Sequence, residues 1–391
     1  MSATDRPPRT ELERLIRDRR QTLEEFGRQA DKYAVRHGLK ATLSPRHLQR
    51  LASGQRADGR PLGPVRPATR KLLEMLLGRP IEELLGPPHE GHPAESTDTA
   101  AELRACLAAS RTVDSNLVRL FQDQVNLARI VDRRLGGVAL LTELREHIAQ
   151  MQHFLRHTLN SNTRVSLACV LVDGCALAAW IALDRGAVVD AWILYDQAKT
   201  AARESESPAL EAYACAGQST VLLDVGEWSA AVELTAYART IAHDSTPRLL
   251  RSWLAGSHGE ALAANGERSQ SLHAFDDAAR LLSSETDPEE VPFLVFNDVH
   301  LARWRGNALS RLGERDAVDV LSSGLERLDR TFVRAEAALH ADLGEIFLRM
   351  GEHEAATVQA ERCLDLARQI GSVRNGNRAR RLLTTPVGRQ R

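Results

Sequence analysis

Apolar residues recur at helical spacing along most of the chain, and glycines interrupt this pattern at regular intervals in the C-terminal half. The five glycines are spaced 40, 40, 47 and 38 residues apart, at Gly186, Gly226, Gly266, Gly313 and Gly351. A small residue precedes each glycine by seven positions, at Ala179, Ser219, Gly259, Gly306 and Gly344. An alanine follows the first three by twelve positions, at Ala198, Ala238 and Ala278. A repeat of this length predicts a stack of helix pairs that bury their apolar faces against one another.

The fourth repeat fits this pattern least well. Val318 and Leu325 occupy the expected alanine positions, whereas Ala317 and Gly324 fit if the preceding turn is one residue shorter. The extra length before this repeat falls at residues 283–292, where Pro and acidic residues predict a longer loop.

The N-terminal segment carries three helix-start signals. Thr10-x-x-Glu13 and Thr22-x-x-Glu25 are capping boxes, each followed by an apolar-periodic run. Ser44-Pro45 predicts a third helix that ends at Gly54. Leu48 and Leu51 form the inward face of that helix, which places four polar residues on or near its outward face: Arg46, His47, Gln49 and Arg50.

These patterns predict an all-α protein made of a small helical bundle followed by a helical array. The predicted segments are 1–9 disordered, 10–85 helical bundle, 86–100 linker rich in Pro, Gly and polar residues, 101–160 helical neck or N-terminal cap, 161–371 repeats, and 372–391 basic tail. The tail holds six arginines and no acidic residue, so it is interpreted either as a frayed solvated end or as an accessory nucleic-acid arm.

Composition supports a helical, cytoplasmic protein. Aromatic residues make up only 4% of the chain, which suits close-packed helices rich in Ala and Leu. The polar start carries no secretory signal pattern, and the most apolar stretch, 168–183, is short for a membrane span and is interpreted as a buried array helix. The five cysteines are odd in number and show no paired spacing, so we expect reduced, small buried residues.

Charge divides the chain into two parts. Residues 1–85 carry 18 Lys and Arg against 11 Asp and Glu, a net charge of +7, whereas the remainder carries 33 against 41, a net charge of −8. This asymmetry indicates that the N-terminal part alone approaches an anionic polymer. Arg and Gln on the third helix match guanine and adenine edges in the major groove. Three arginines of the following loop suit contacts to the DNA backbone: Arg56, Arg60 and Arg66.

No motif indicates an enzyme. The sequence lacks the glycine-rich dinucleotide and phosphate loops and the H-E-x-x-H zinc motif. His89 and His92 lie in the linker and make a weak metal site. We therefore expect no catalytic residues, no cofactor and no metal.

Thr22-Leu-Glu-Glu-Phe26 and Ser44-Pro-Arg-His-Leu-Gln-Arg-Leu-Ala-Ser-Gly54, followed by a Pro-bearing loop and a Leu-rich helix, resemble the Xre/Cro-type helix-turn-helix. The whole chain resembles the actinobacterial regulators that join such a head to a C-terminal tetratricopeptide (TPR) array. The N-terminal segment departs from the helix-turn-helix pattern in two ways. The segment from Thr22 to Ser44 is about ten residues longer than the usual turn, and Leu23 replaces a Gln that often touches phosphate. The repeat period also exceeds the usual 34 residues.

The resemblance implies a transcriptional regulator that binds double-stranded DNA through its head, acts as a dimer, and has no membrane partner. The concave positions of a TPR array map onto a set that suits an extended or helical peptide, or a protein partner: Trp180, Tyr213, Trp253, Glu260, His300, Arg303, Asn307, Glu345 and Arg349, with Asp173 and Thr220 beside them. Two alternatives stay open. The basic head could dock a protein or bind nucleic acid non-specifically, which would make the chain an adaptor, or it could be a helical bundle with a solvated basic face.

Overall fold

The protein is described by a computed structural model that covers residues 8–19, 21–36, 39, 41–55, 62–63, 65–88, 99–242, 246–282, 291 and 293–384. The fold is all-α, as predicted: about 80% of the described residues lie in helices, 19 helices are described, and the described part contains no strand. The chain forms two compact units, unit 1 at Met1–Glu102 and unit 2 at Leu103–Arg391.

Unit 1 contains five short helices: α1 (Glu11–Asp18), α2 (Leu23–Arg36), α3 (Pro45–Ser53), α4 (Pro67–Leu77) and α5 (Ile81–Leu84). Their starts follow the predicted caps. The Thr10 hydroxyl accepts from the Glu13 backbone N–H, and the Ser44 hydroxyl accepts from that of His47. Gly54 ends α3 in the left-handed conformation. The core they enclose consists mainly of Leu12, Ile16, Phe26, Ala30, Leu48, Leu51, Leu72, Leu73 and Leu84.

In the segment between Thr22 and Ser44, α2 continues to Arg36. Ala34 and Leu43 are both buried in the core of unit 1. The Leu43 backbone N–H donates to the Asp31 carboxylate at 3.0 Å, which fixes the return of the chain to α3. A Cβ at Gly27 would lie 3.0 Å from the Leu43 carbonyl oxygen, so this segment packs closely on α2.

Unit 2 is a succession of longer helices, most of which pack on the next helix in sequence. Because the boundary between the units falls inside α6, that helix belongs to both. The helices are α6 (Thr99–Arg111), α7 (Ser115–Leu135), α8 (Leu140–His157), α9 (Ser161–Asp184), α10 (Val188–Glu204), α11 (Pro208–Val225), α12 (Trp228–Ile241), α13 (Arg248–Ala264), α14 (Arg268–Leu281), α15 (Asp298–Leu312), α16 (Ala317–Arg327), α17 (Val333–Met350), α18 (His353–Ile370) and α19 (Val373–Thr384).

The repeat glycines connect the two helices of each pair. All five adopt positive φ, between 77° and 87°, a region that other residues enter only with strain. The small residues seven positions earlier allow the paired helices to approach closely: a Cβ at Gly259 would lie 2.7 Å from the Phe275 ring. In the fourth pair Ala317 and Gly324 are the buried positions, so the shorter turn is the one that forms.

The apolar helix α9 is a core element. It is long and apolar enough to cross a membrane, with a mean hydropathy of 2.0, but 78% of its most apolar stretch is buried within the protein. Fully buried Leu167, Cys175 and Ile181 pack in the largest apolar core of unit 2. Such burial is consistent with a soluble protein.

The last helix closes unit 2 on itself. α19 packs against α9 as well as α18, while α17 and α18 contact α7. The contact between the ends of α7 and α18 is tight, because a Cβ at Gly136 would lie 2.0 Å from the Ile370 carbonyl oxygen. The Ser372 hydroxyl donates to Asp184 at 2.6 Å, and Arg374 pairs with Asp224 at 2.6 Å.

The interpretation of the basic tail as a frayed solvated end is therefore wrong for Val373–Thr384, which forms α19. Two of its arginines are neutralised by acidic residues of α11 and α17, and Asn375 and Ala379 are buried.

Candidate functional sites

The outward face of α3 presents three long polar side chains. Arg46, Gln49 and Arg50 are exposed, while Leu48 and Leu51 anchor the opposite face in the core. Within the part of the chain that the structure describes, none of the three side chains makes an ion pair. They are therefore free to contact a partner.

A positive cluster surrounds His47 on the same helix. The pKa of His47 is lowered by its partial burial and then by the guanidinium groups of Arg50 and Arg66. Because both arginines act on one imidazole, Arg66 at the start of α4 lies close to the α3 surface. Arg56 and Arg60 lie outside the described residues.

Unit 2 lines a half-open cavity of about 1200 Å³, called here the chamber. Eight of the nine side chains predicted to bind a peptide line it: Trp180, Tyr213, Trp253, Glu260, His300, Arg303, Asn307 and Glu345. Helices from both ends of unit 2 complete its wall, since Arg129 on α7 and Arg378 on α19 also face it. Because α19 packs back on α9, the concave positions of successive repeats line a single chamber.

A chain of aromatic rings forms one wall of the chamber. Tyr213 lies between Trp253 and Phe293, with ring centroids 5.5 and 4.6 Å away. Trp304 continues the row, 5.9 Å from Trp253 and 5.1 Å from Phe296. Phe293, Phe296 and Trp304 do not occupy the repeat positions from which the peptide-binding residues were predicted. Their location is the only sequence signal for them: the two phenylalanines precede α15, and Trp304 lies within it.

Most charges around the chamber are paired. Arg334 binds Asp132 at 2.7 Å and Asp184 at 2.9 Å, which joins α17 to α7 and α9. Arg378 binds Asp342 at 2.5 Å and Glu345 at 2.8 Å.

Arg129 also pairs with Asp173 and donates to the Phe293 carbonyl oxygen at 2.9 Å. These pairs neutralise buried charges that would otherwise destabilise the fold.

Three charged groups in the chamber make no hydrogen bond or ion pair with a described residue: Arg133, Arg303 and Glu260. The Nε of Arg303 is buried, and burial lowers the pKa of its guanidinium. Burial raises the pKa of Glu260 to about 7, against the opposing effect of Arg303, Arg311 and Arg374.

Two predicted side chains, Asn307 and Glu345, have structural partners. The Asn307 amide donates to Asp342 at 2.7 Å and its oxygen accepts from Arg311 at 3.1 Å. Glu345 is held by Arg378. Each is therefore less available to a peptide than the sequence indicates.

Arg349 and His300 have different environments from the other predicted residues. Arg349 is exposed outside the chamber, where it donates to the carbonyl oxygens of Ser310 and Arg311 at the end of α15. It therefore does not join the other predicted peptide-binding side chains on the chamber wall, because the end of α15 takes its guanidinium. Burial lowers the pKa of His300 to about 3, so this imidazole is neutral beside Phe332.

Cys106 on α6 and two histidines of α8, His153 and His157, could hold a metal ion. Their ligand atoms lie within 4.8 Å of one another, and His157 Nδ1 lies 2.9 Å from the His153 carbonyl oxygen. Ligands of a tetrahedral zinc ion are only about 3.5 Å apart, so the side chains would have to close in. His89 and His92 lie outside the described residues.

Comparison of the chain with protein-family models and with curated proteins finds no match.

Proposed function

We propose that the protein is a DNA-binding transcriptional regulator of the Xre/Cro-type helix-turn-helix class, with a TPR-like array that receives a peptide or protein signal. The observation that carries the DNA-binding role is the exposed, unpaired set of Arg46, Gln49 and Arg50 on a helix anchored by buried leucines. The proposal assigns α3 to the major groove of double-stranded DNA.

The chemistry of this surface supports base recognition. Arg and Gln side chains form paired hydrogen bonds with guanine and adenine edges. The N-terminus of α3 carries no acidic residue in its first turn, which leaves its partial positive charge available to a phosphate. Arg66 lies near His47 and suits a contact to the DNA backbone, which sets orientation.

The chamber of unit 2 supports a ligand-binding role. Its volume of about 1200 Å³ is slightly larger than that of typical small-molecule pockets. Aromatic rings along one wall and charged groups along the others offer both apolar contacts and hydrogen bonds to a short peptide. A single head makes few base contacts, so we propose that the regulator binds as a dimer on two half-sites.

Substitution of Arg50 tests the DNA-binding role. We expect full-length Arg50→Ala to lose about 10- to 100-fold in preference for its best promoter fragment over bulk DNA, because one paired base contact is removed. The control is Lys71→Ala, which removes the same charge from an exposed position on α4. Unchanged preference and salt dependence in Arg50→Ala would remove this residue from base recognition.

A further inference from the structure

Three side chains that can bind a metal ion meet where α6 approaches the end of α8. Cys106 lies on α6, His153 and His157 lie on α8, and all three are half-buried. One ligand atom from each residue lies within 4.8 Å of the other two. A thiol and two imidazoles are thus gathered at one point by two separate helices.

The two histidines already have the arrangement of a metal-binding pair. They are four residues apart on one helix, the spacing with which two imidazoles bind a single zinc ion, and their ring centroids lie 4.9 Å apart. The His157 Nδ1 lies 2.9 Å from the His153 carbonyl oxygen, which can only accept, so Nδ1 donates. In the neutral imidazole the other nitrogen, Nε2, then holds the lone pair that a metal ion requires.

The helix that carries the cysteine is held in place by few apolar contacts. Among the described side chains of α6, only Cys106, Leu107 and Ser110 are not exposed. Leu103 is 52% exposed, and the Ser110 hydroxyl, although buried, has no hydrogen-bond partner among the described residues. Because so little apolar area anchors α6, a metal ion bound by Cys106 would contribute much of the attachment of this helix.

We propose that Cys106, His153 and His157 bind one zinc ion, which fixes α6 against α8. A thiolate and two imidazoles are donors that zinc prefers, and the ion takes the place of the thiol proton, which is released to solvent. No further His, Cys, Asp or Glu of the described residues joins the group, so a water molecule completes the four-coordinate shell. The side chains move together by roughly 1 Å when the ion binds. The site revises the expectation, drawn from the sequence, that the chain binds no metal.

The role of this zinc ion is structural. In the H-E-x-x-H motif the glutamate after the first histidine is the general base of a metalloprotease. Phe154 occupies that position here, and its ring centroid lies 6.2 Å from that of Phe121 in the core of unit 2. The cluster therefore has the histidine spacing of a zinc site without the base that hydrolysis needs.

Cobalt and zinc titrations of reduced, metal-free, full-length protein test the site. Co²⁺ is added first, because its visible absorption reports tetrahedral geometry and its near-ultraviolet band reports a thiolate ligand. Zinc then displaces it, and competition with a chromophoric chelator gives the zinc affinity. We expect one thiolate-bound ion per chain. Amide hydrogen exchange in α6 should slow by up to about 100-fold when free zinc is 100 times its dissociation constant.

Variants show whether these residues are the ligands. Cys106→Ala and His157→Ala should each lose at least about 100-fold in zinc affinity, since removal of a second-shell partner alone costs 10- to 100-fold. The matched controls are Cys169→Ala and His147→Ala, which change a half-buried cysteine of α9 and a half-buried histidine of α8 outside the cluster. Both controls should bind zinc as the wild type does. Thermal unfolding of each metal-free variant checks that it is folded.

Three results would overturn the proposal. Absence of a thiolate-bound cobalt spectrum in the wild type removes the site. Zinc affinity that is the same in wild type, Cys106→Ala and His157→Ala shows that any bound zinc lies elsewhere. Zinc binding that leaves hydrogen exchange in α6 unchanged shows that the ion does not fix this helix.

Discussion

At the scale of single residues, Glu260 shows how the chamber perturbs a charge. Burial raises its pKa to about 7, so the folded protein holds a proton on this carboxyl group that the unfolded chain releases near pH 4.5. A raised carboxyl pKa stabilises the fold fully below pH 4.5, and the contribution is lost as the pH rises through about 7.

Glu260→Gln tests this effect because the amide does not titrate. We expect the variant to gain stability relative to the wild type as the pH rises from 4.5 to 7, and to be the more stable protein at pH 8. Chemical denaturation at pH 5 and pH 8 measures the difference, with Glu233→Gln at an exposed position of α12 as control. A difference that is the same at both pH values would contradict the raised pKa.

The residues that line the chamber could be predicted where they follow the repeat spacing. Their hydrogen-bond partners could not be predicted. The spacing places Trp180, Glu260 and Arg303 on the wall of the cavity. It carries no information about the partner of Asn307, whose amide donates to Asp342, 35 residues further along the chain. It also misses Phe293 and Phe296, because they belong to a segment between repeats.

At the scale of helices, local sequence signals were sufficient to predict where α1, α2 and α3 begin. Thr10, Thr22 and Ser44 start helices as their spacing predicts, because capping depends on backbone groups within three residues. The path of the chain from α2 to α3 was not predictable in the same way, since it is held by the hydrogen bond from the Leu43 backbone N–H to Asp31. The helix Val373–Thr384 was not predicted, because its arginines pair with acidic residues that lie up to 150 residues away in the chain.

Close packing between paired helices predicts a sharp contrast between two glycines. Gly259→Ala places a methyl group 2.7 Å from the fully buried Phe275 ring, so we expect a loss of roughly 1–3 kcal/mol in unfolding free energy. Gly324→Ala meets only Leu339, at 3.9 Å, and should be neutral or stabilising by up to about 1 kcal/mol through helix propensity. Urea denaturation measures both, and equal effects would contradict the packing account.

At the scale of the whole molecule, unit 2 is a helical array whose two ends are held together by buried charge pairs. Arg334 is central to this closure, because it joins Asp132 on α7 and Asp184 on α9 to the late helix α17. Ser372, which precedes α19, and Arg374 on α19 contact α9 and α11 beside Arg334. The chamber depends on this closure.

Removal of Arg334 should therefore be costly. Arg334→Gln leaves two buried carboxylates without their cation, and we expect a loss of about 3–5 kcal/mol in unfolding free energy. Arg327→Gln is the control, because its pair with Asp298 is exposed and contributes at most about 1 kcal/mol. Similar losses in the two variants would show that the closure does not stabilise unit 2.

The central claim is that this molecule recognises a DNA sequence, and selection from a random duplex pool with full-length protein tests it most directly. We predict enrichment of two related half-sites whose centres lie about 34 Å, or a multiple of that distance, apart, and loss of the enrichment in Arg50→Ala but not in Lys71→Ala. Retention of DNA without any enriched sequence, or an enrichment unchanged in Arg50→Ala, would contradict the account.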